Sequence, residues 1–563
     1  MPRPNETHEL ESVASDDAAR LSTDSTPLYH DTDMRHLSPA PDSPLLTPTI
    51  STQPAWLRTP RSQRVPPWLS RLIARFTTLL RPRFTWRYVL CATVALYASW
   101  CLVTGSHLLA SKLPDYSGPH RVGAVDLEVP LEKPLLVSNT TLKGTDEKPA
   151  FELETVLFTL YYPIDDGVHS NRAKHLWFPR PISLIAEGYA TLAHANNFIV
   201  RPIFTFFLWA VAGSITIPAA VDVPLLTAPS VQSTTTTTRD STDSDRLPIV
   251  VFSHGMASSR TDYTHYLGEI ASRGYIVAAI EHRDGSCPGT IINSPSKAPR
   301  RLLPLRQADL TSDPPMDEPR LKRDQLAFRT AEIYETINAL RTLDAGSTPL
   351  TTTRSEGKHL TTFAHRLDFS HLTVAGHSYG ATGVLQASQT ANSTSHSNPT
   401  IGTIALDPGK SSGPLTTAVP HPLLIIHSNS WSRTHSLFYG RPHFDTVRDL
   451  VRDVLSRTGA AWFLTSKGTS HPSVTDAPLL EPLLLSWTTG ATIDVKQGLY
   501  EYVRVTMEFL NFLREKKVEE GGLLAEKVTH DEYDKWVSEE RRKEFPKDLA
   551  KNWQIHVSPA DEK

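Results

Sequence analysis

The sequence predicts an α/β fold: a mostly parallel central sheet flanked by helices and preceded by one transmembrane helix. Three observations carry this. Gly376-His377-Ser378-Tyr379-Gly380 sits between an apolar run, His371 to Ala375, and a small-residue, helix-compatible run, Ala381 to Ala387. Short apolar runs of strand length recur on both sides of it, bounded by Gly, Pro or Ser. Tyr88 to Ala110 carries no formal charge, close to the roughly 20 residues that cross a bilayer.

The two glycines around Ser378 and the small residues after them let the chain turn sharply from strand to helix. Such a turn lifts the serine hydroxyl clear of the sheet and aims a helix N-terminus at it. Gly and Ser are common in loops, so a plain strand–helix turn reads the same; the flanking runs favour a nucleophile. A serine hydroxyl also needs a base to take its proton and an acid to orient that base. On α/β-hydrolase sheets these follow in the order Ser, Asp or Glu, His, each after its own strand.

Ile401 to Leu406 ends at Asp407, before the turn Pro408-Gly409. Leu423 to Ile426 ends at His427-Ser428-Asn429, with no acid until Asp445. Asp407 is therefore the expected acid, although a cap or turn aspartate would look alike. Ala461 to Thr465 leads into Ser466-Lys467-Gly468-Thr469-Ser470-His471, where a general base belongs. His421 and His427 are rivals to His471, and Asp476 is the rival acid. The expected catalytic set is Ser378, Asp407 and His471. An oxyanion hole needs two backbone donors. One is the amide of Tyr379. The other follows Pro248 to Phe252, where Gly255 is expected to supply the unusual backbone angles that point the Met256 amide inward.

These pieces resemble the platelet-activating-factor acetylhydrolase family, of the secreted and intracellular isoform II type. The matching text includes Leu160-Tyr161-Tyr162-Pro163, Gly213 to Ala219, Phe252-Ser253-His254-Gly255-Met256 and Gly274 to Asp284. It continues with Arg323-Asp324-Gln325-Leu326, the Gly376 turn, Ala405-Leu406-Asp407 and Gly468-Thr469-Ser470-His471. The string ending Glu281-His282-Arg283-Asp284 is more specific than the turn, and is read as a structural ion-pair cluster. The resemblance implies an α/β-hydrolase with oxyanion donors at Met256 and Tyr379. It also implies calcium-independent hydrolysis of the sn-2 acetyl or short, oxidised acyl ester of a glycerophospholipid. The chain departs from the family in a threonine run, Ser233 to Thr238, a polar stretch near 388–400 and long extensions at both ends.

A net charge of −3 over 563 residues gives no sign of nucleic-acid binding. No Cys/His cluster has metal-ligand spacing, and no cofactor is expected. Cys91 and Cys101 fall in the apolar span, leaving Cys287 alone in the hydrolase region and no disulfide there. The expected organisation is a disordered tail over 1–57, a basic segment over 58–87 and the membrane span over 88–110. A catalytic domain over 115–515 and a solvated, charged tail over 516–563 follow. Residues 1–57 are rich in Ser, Thr, Pro and Asp. Eight arginines from Arg58 to Arg87 occur without an acid. Trp68, Leu69, Leu72, Ile73, Phe76, Leu79 and Leu80 among them suit a basic amphipathic helix or a disordered flank.

The arginine excess predicts a type II single-pass anchor with the hydrolase lumenal or extracellular. The sequons at Asn139 and Asn392 would then be glycosylated. Phe198 to Ile217 holds Phe204, Phe206, Phe207 and Trp209. It is either a lipid-facing entrance helix or a core helix. The expected partners are a phospholipid substrate and a membrane surface. Alternatives are a carboxylesterase of other lipid or polyester substrates, and a non-catalytic hydrolase-fold lipid-binding protein.

Overall fold

The computed structural model describes residues 66, 68–69, 71–72, 74, 85–104, 110–144, 148–228, 245–347, 350–389, 400–481 and 488–561. The N-terminal tail over 1–57 and the sequon at Asn392 lie outside them. Of the basic segment, Trp68, Leu69, Arg71, Leu72 and Ala74 are helical. The chain forms two units, Met1–Tyr88 and Val89–Lys563, and the sheet belongs to the second.

Leu423-Leu424-Ile425-Ile426 shows why the sheet forms where it does. The run is too short for a helix and buries residues on both sides, which suits a strand covered on two faces. Leu424 and Ile426 pack into one core cluster, Leu423 and Ile425 into another. Ten strands share one sheet: β1 (Arg121–Leu136), β2 (Glu152–Ile164), β3 (Ala220–Val221), β4 (Leu247–Ser253), β5 (Ile276–Glu281), β6 (Leu367–His377), β7 (Thr400–Leu406), β8 (Leu423–Ser428), β9 (Ala461–Ser466) and β10 (Trp553–Val557). Their spatial order is β10-β9-β8-β7-β6-β4-β5-β2-β1-β3. From β9 to β5 every neighbouring pair is parallel. β2 runs antiparallel to both β5 and β1, and β10 antiparallel to β9.

The main helices are α1 (Trp86–Thr104), α2 (Ile182–Leu192), α3 (Val200–Ala212), α4 (Thr264–Ala271), α5 (Glu318–Ala345), α6 (Tyr379–Gln389), α7 (His443–Thr458) and α8 (Val495–Glu515). α4 and α8 cover one face of the sheet, and α5, α6 and α7 the other. The expected α/β architecture is present, with the carboxyl ends of β4, β6, β7 and β9 along one edge.

One expectation is not met among the described residues, and one is corrected. The transmembrane helix expected over 88–110 is not found: among the described residues no helix is long and apolar enough to cross a membrane. α1 is described as far as Thr104, with residues 105–109 outside the described residues, and carries Arg87 in its first turn. Its Thr93 and Ser99 hydroxyls turn back onto the carbonyls of Val89 and Ala95. The C-terminal tail is not solvated throughout. Its charges gather on an exposed helix, Glu539–Glu544, but the run after them pairs with β9 as β10 and closes an edge that would otherwise be open. Trp553 is fully buried and its Nε1 donates to Glu501 Oε2 at 2.7 Å. The folded domain therefore extends well past residue 515.

The core also holds many neutral histidines. Burial pushes His421, His443 and His530 down to about 4, and His556 down to about 3. Burial pushes Asp262 up to about 7.

Trp553→Ala should cost about 3–5 kcal/mol, read from the denaturant midpoint, because it empties a buried site and takes the indole donor from Glu501, which keeps only Arg504. Stability should fall on acidification. The unfolded histidines take protons near their ordinary pKa of about 6.5 while the folded ones stay neutral, so their stabilisation is complete above that value. It is lost as pH falls toward 4, at about 1.4 kcal/mol per pH unit for each group. Asp262 opposes this over the same range and offsets about one of the four. His443→Gln should flatten the unfolding free energy between pH 6.5 and 4.5 by about one proton.

Candidate active site

The strand–helix turn is built as the glycines require. β6 ends at His377, α6 starts at Tyr379, and Ser378 between them takes a left-handed φ of 56°. A Cβ on Gly376 would stand 2.4 Å from the Gly380 carbonyl oxygen, and one on Gly380 2.0 Å from that of Ser253. Neither position admits a side chain. The Ser378 amide donates to the Leu406 carbonyl at 2.8 Å, which ties the turn to β7.

Asp407 follows β7, also left-handed at φ 50°. Its carboxylate is buried and accepts from the Ser428 amide at 2.6 Å and the Ser428 hydroxyl at 2.7 Å. His471 Nδ1 lies 2.8 Å from Asp407 Oδ2, and His471 Nε2 lies 3.0 Å from Ser378 Oγ. The three expected residues thus meet in one hydrogen-bonded chain. The His471 ring lies flat on Trp431, with centroids 4.1 Å apart and planes at 10°. Trp431 Nε1 in turn donates to the Pro408 carbonyl at 3.1 Å. The Lys410 ammonium sits 4.0 Å from the Trp431 ring centroid. Trp431 and Lys410 went unnoticed in the sequence, where nothing links them to a histidine so far along the chain.

The rivals are elsewhere. Asp476 accepts from the Thr264 and His265 amides at 2.8 and 2.9 Å and from the Thr264 hydroxyl at 2.6 Å, so it caps α4. Trp177 Nε1 also donates to it. His427 is buried, with Nδ1 3.2 Å from Ser432 Oγ, and His421 Nε2 pairs with Thr403 Oγ1 at 2.7 Å.

Tyr379 opens α6, so its amide is among those without an acceptor inside the helix. Met256 lies just past β4 and is 45% exposed at the site's mouth. The reason given for Gly255 needs correction: the left-handed residue here is Ala257, at φ 55°. Gly255 matters for closeness, since a Cβ there would meet Ser378 Cβ and the Tyr263 hydroxyl oxygen at 3.2 Å each. Tyr263 OH receives the Gly255 amide at 3.1 Å and is hydrogen-bonded to His377 Nδ1 at 2.9 Å. Burial and the neighbouring His471 hold His377 well below the ordinary imidazole range. Its ring stands 4.5 Å from that of His471.

Glu281-His282-Arg283-Asp284 is the structural cluster expected. Glu281 pairs with Arg260 at 3.0 Å, His282 with Glu332 at 2.6 Å, Arg283 with Glu128 at 2.6 Å and Asp284 with Arg329 at 2.8 Å. Burial pushes the Glu332 carboxyl up and the His282 imidazole down, so that pair carries no net charge. Among the described residues, His377, Asp407 and His471 bring ligand-type atoms within 4.8 Å of one another. Those of Asp407 and His471 are already engaged in the chain to Ser378.

α3 presents its aromatic side outward. Phe206, Phe207 and Trp209 are exposed, Phe204 is half-buried, and Phe198, Ile199 and Ile203 extend the patch. Asn139 is exposed, while Thr140 beside it is buried against Asp324.

A platelet-activating factor acetylhydrolase of Canis lupus familiaris is 27% identical over 295 residues, covering 51% of this chain and 54% of that protein. A putative phospholipase A2 of Schizosaccharomyces pombe is 26% identical over 242 residues, covering 42% of this chain and 48% of that protein. The chain thus spans about half the length of the relatives it matches. A solved ferulic acid esterase of Streptomyces cinnamoneus is 16% identical with a TM-score of 0.44, over 73% of this chain and 94% of that one. The model of platelet-activating factor acetylhydrolase, isoform II, matches residues 106–530, well over half of the sequence, and the chain belongs to that family.

Proposed function

We propose that this chain is a serine esterase that cleaves the sn-2 acetyl or short, oxidised acyl ester of a glycerophospholipid. The observation that carries the reading is the continuous chain Asp407–His471–Ser378, seated at the carboxyl ends of β7, β9 and β6. Family membership supports the ester and lipid class.

The chemistry follows from the contacts. Asp407 accepts a hydrogen bond from His471 Nδ1–H, which leaves Nε2 free to take the Ser378 hydroxyl proton as Oγ bonds to the ester carbonyl carbon. The charge that develops on the carbonyl oxygen is received by the amides of Met256 and Tyr379. The bond to the glycerol oxygen breaks, and that oxygen takes the proton from His471 Nε2. Water then repeats the sequence on the acyl-serine, releasing the short carboxylate and restoring Ser378. Asp407 orients the His471 ring throughout, itself held by the two Ser428 donors.

The apolar side of α3 supports contact with a lipid surface, because a patch of exposed aromatics is costly in water and favourable at a headgroup boundary. The arginine excess N-terminal to α1 supports a cytoplasmic N-terminus, with the hydrolase on the lumenal or extracellular side.

Ser378→Ala should lower turnover of a 2-acetyl glycerophospholipid on the order of 10⁶-fold without unfolding the protein. Asp407→Asn should lower it on the order of 10⁴-fold by spoiling the His471 tautomer. Asp476→Asn should lower the unfolding midpoint and leave turnover per folded molecule within a few-fold. A Ser378→Ala protein that keeps several per cent of its turnover overturns the nucleophile, and the reverse ranking of the two aspartates overturns the acid.

Expressed in a glycosylating host, the full chain should shift in mobility on endoglycosidase treatment, and Asn139→Gln should shrink that shift. An unglycosylated hydrolase that proteases reach in sealed microsomes contradicts the orientation.

A further inference from the structure

We propose that α5 is the ruler that sets the oxyanion hole, with Arg329 as the residue that positions both of its donors. The inference rests on the esterase reading above and adds three residues from a helix that touches neither the nucleophile nor the base.

Gln325, Arg329 and Glu332 lie at successive four- and three-residue steps, so they share one side of α5. Arg329 is fully buried, and its guanidinium is spent on the two donor segments. Nη1 donates to the His254 carbonyl at 2.6 Å, directly upstream of Gly255-Met256. Nη2 donates to Ser286 Oγ at 2.7 Å. The Ser286 carbonyl accepts the Ala257 amide at 2.9 Å, directly downstream of Met256. Met256 is therefore bracketed on both sides by groups that Arg329 holds. The same guanidinium carbon stands 4.5 Å from the centroid of the Tyr379 ring. One turn earlier, Gln325 Oε1 accepts the Tyr379 hydroxyl at 2.9 Å. One turn later, Glu332 fixes His282, whose Nε2 lies 2.6 Å from Ser253 Oγ at the last residue of β4.

A guanidinium needed only to neutralise Asp284 would satisfy that task with its Nε bond at 2.8 Å. Of its remaining contacts, the His254 carbonyl adjoins the Met256 loop, and Ser286 Oγ belongs to the residue whose carbonyl holds the Ala257 amide. The Tyr379 ring is the other donor's own side chain, and Ser253 Oγ, 3.3 Å from Nη1, ends β4 just before that loop. Lysine at this position keeps the charge and cannot make the forked set. Oxyanion donors act by preorganisation, so a displacement too small to unfold the protein still lowers the rate.

The test uses the full chain with active sites titrated by a fluorophosphonate, so that kcat is counted per competent serine. Arg329→Lys should lower kcat on the order of 10²-fold on a 2-acetyl glycerophospholipid, with KM within threefold. It should weaken a short-chain trifluoromethyl ketone, whose hemiketal oxygen occupies the oxyanion position, in parallel with kcat. A lysophospholipid that makes no oxyanion should bind unchanged. Ser286→Ala removes the acceptor of Nη2 together with that hydroxyl's bond to Asp284 Oδ1, leaves Arg329 and its Nη1 bond in place, and should lower kcat about tenfold in the same pattern; it decides the matter if Arg329→Lys does not fold. Variants that keep kcat and ketone affinity within threefold of the parent overturn the clamp while the esterase reading stands. A parent chain that neither takes the fluorophosphonate nor turns over ester overturns the esterase reading itself.

Discussion

A serine can stand above the end of a parallel strand only where the backbone there is left-handed and the neighbouring positions carry no Cβ. Ser378 meets the first condition, and Gly376 and Gly380 the second. Two further site residues, Asp407 and Ala257, are left-handed as well. Each such residue costs on the order of 1–3 kcal/mol. Each also has its own amide bonded to a neighbouring segment: Ser378 to Leu406, Asp407 to Ile426 and Ala257 to Ser286. The sheet order places β6, β7 and β8 side by side and β4 beside β5, so these bonds fall between neighbouring strand ends. The strained turns persist because the surrounding backbone over-determines them.

Below the site, polar side chains take the place of a dry core. Asp284, Arg329, Glu332 and His282 are all fully buried, and each has a charged or polar partner within 2.8 Å. Taking one partner away from the Asp284–Arg329 pair leaves an uncompensated charge and costs about 3–5 kcal/mol. This expense does not raise stability above that of an apolar core of equal volume. Its effect is geometric, because guanidinium and carboxylate groups hold neighbours at defined angles where aliphatic side chains would allow sliding. The aromatic face of α3 is a separate feature, an exposed apolar patch with no part in the hydrogen-bonded chain.

The strands were legible because short apolar runs ending in Gly, Ser or Asp have few other readings, and the triad because its chain order follows the strand order. The ion-pair role of Glu281 to Asp284 was legible too, since four polar residues directly after a buried strand need partners. Other features were hidden for physical reasons. The polar side of α5 reads as a solvated helix face until its neighbours are known. Trp431 stacks on a residue 40 positions away by a contact that leaves no local pattern. β10 was masked by the charges around it, and the role of Gly255 by the assumption that a glycine near a turn supplies angles rather than room. Apolar composition alone did not tell which way α3 faces, and among the described residues the uncharged stretch from Tyr88 holds no helix long and apolar enough to span.

The most direct measurement of the central claim is where a covalent acyl-enzyme mimic forms. The full chain is treated with a fluorophosphonate, digested and mapped by mass spectrometry, beside a His471→Ala chain treated alike. The expected result is a single adduct on Ser378 in the parent chain and none in the variant over the same time. An adduct on another residue, or a folded parent chain that takes no label while His471 is intact, would contradict the assignment of Ser378, His471 and Asp407 as one working unit.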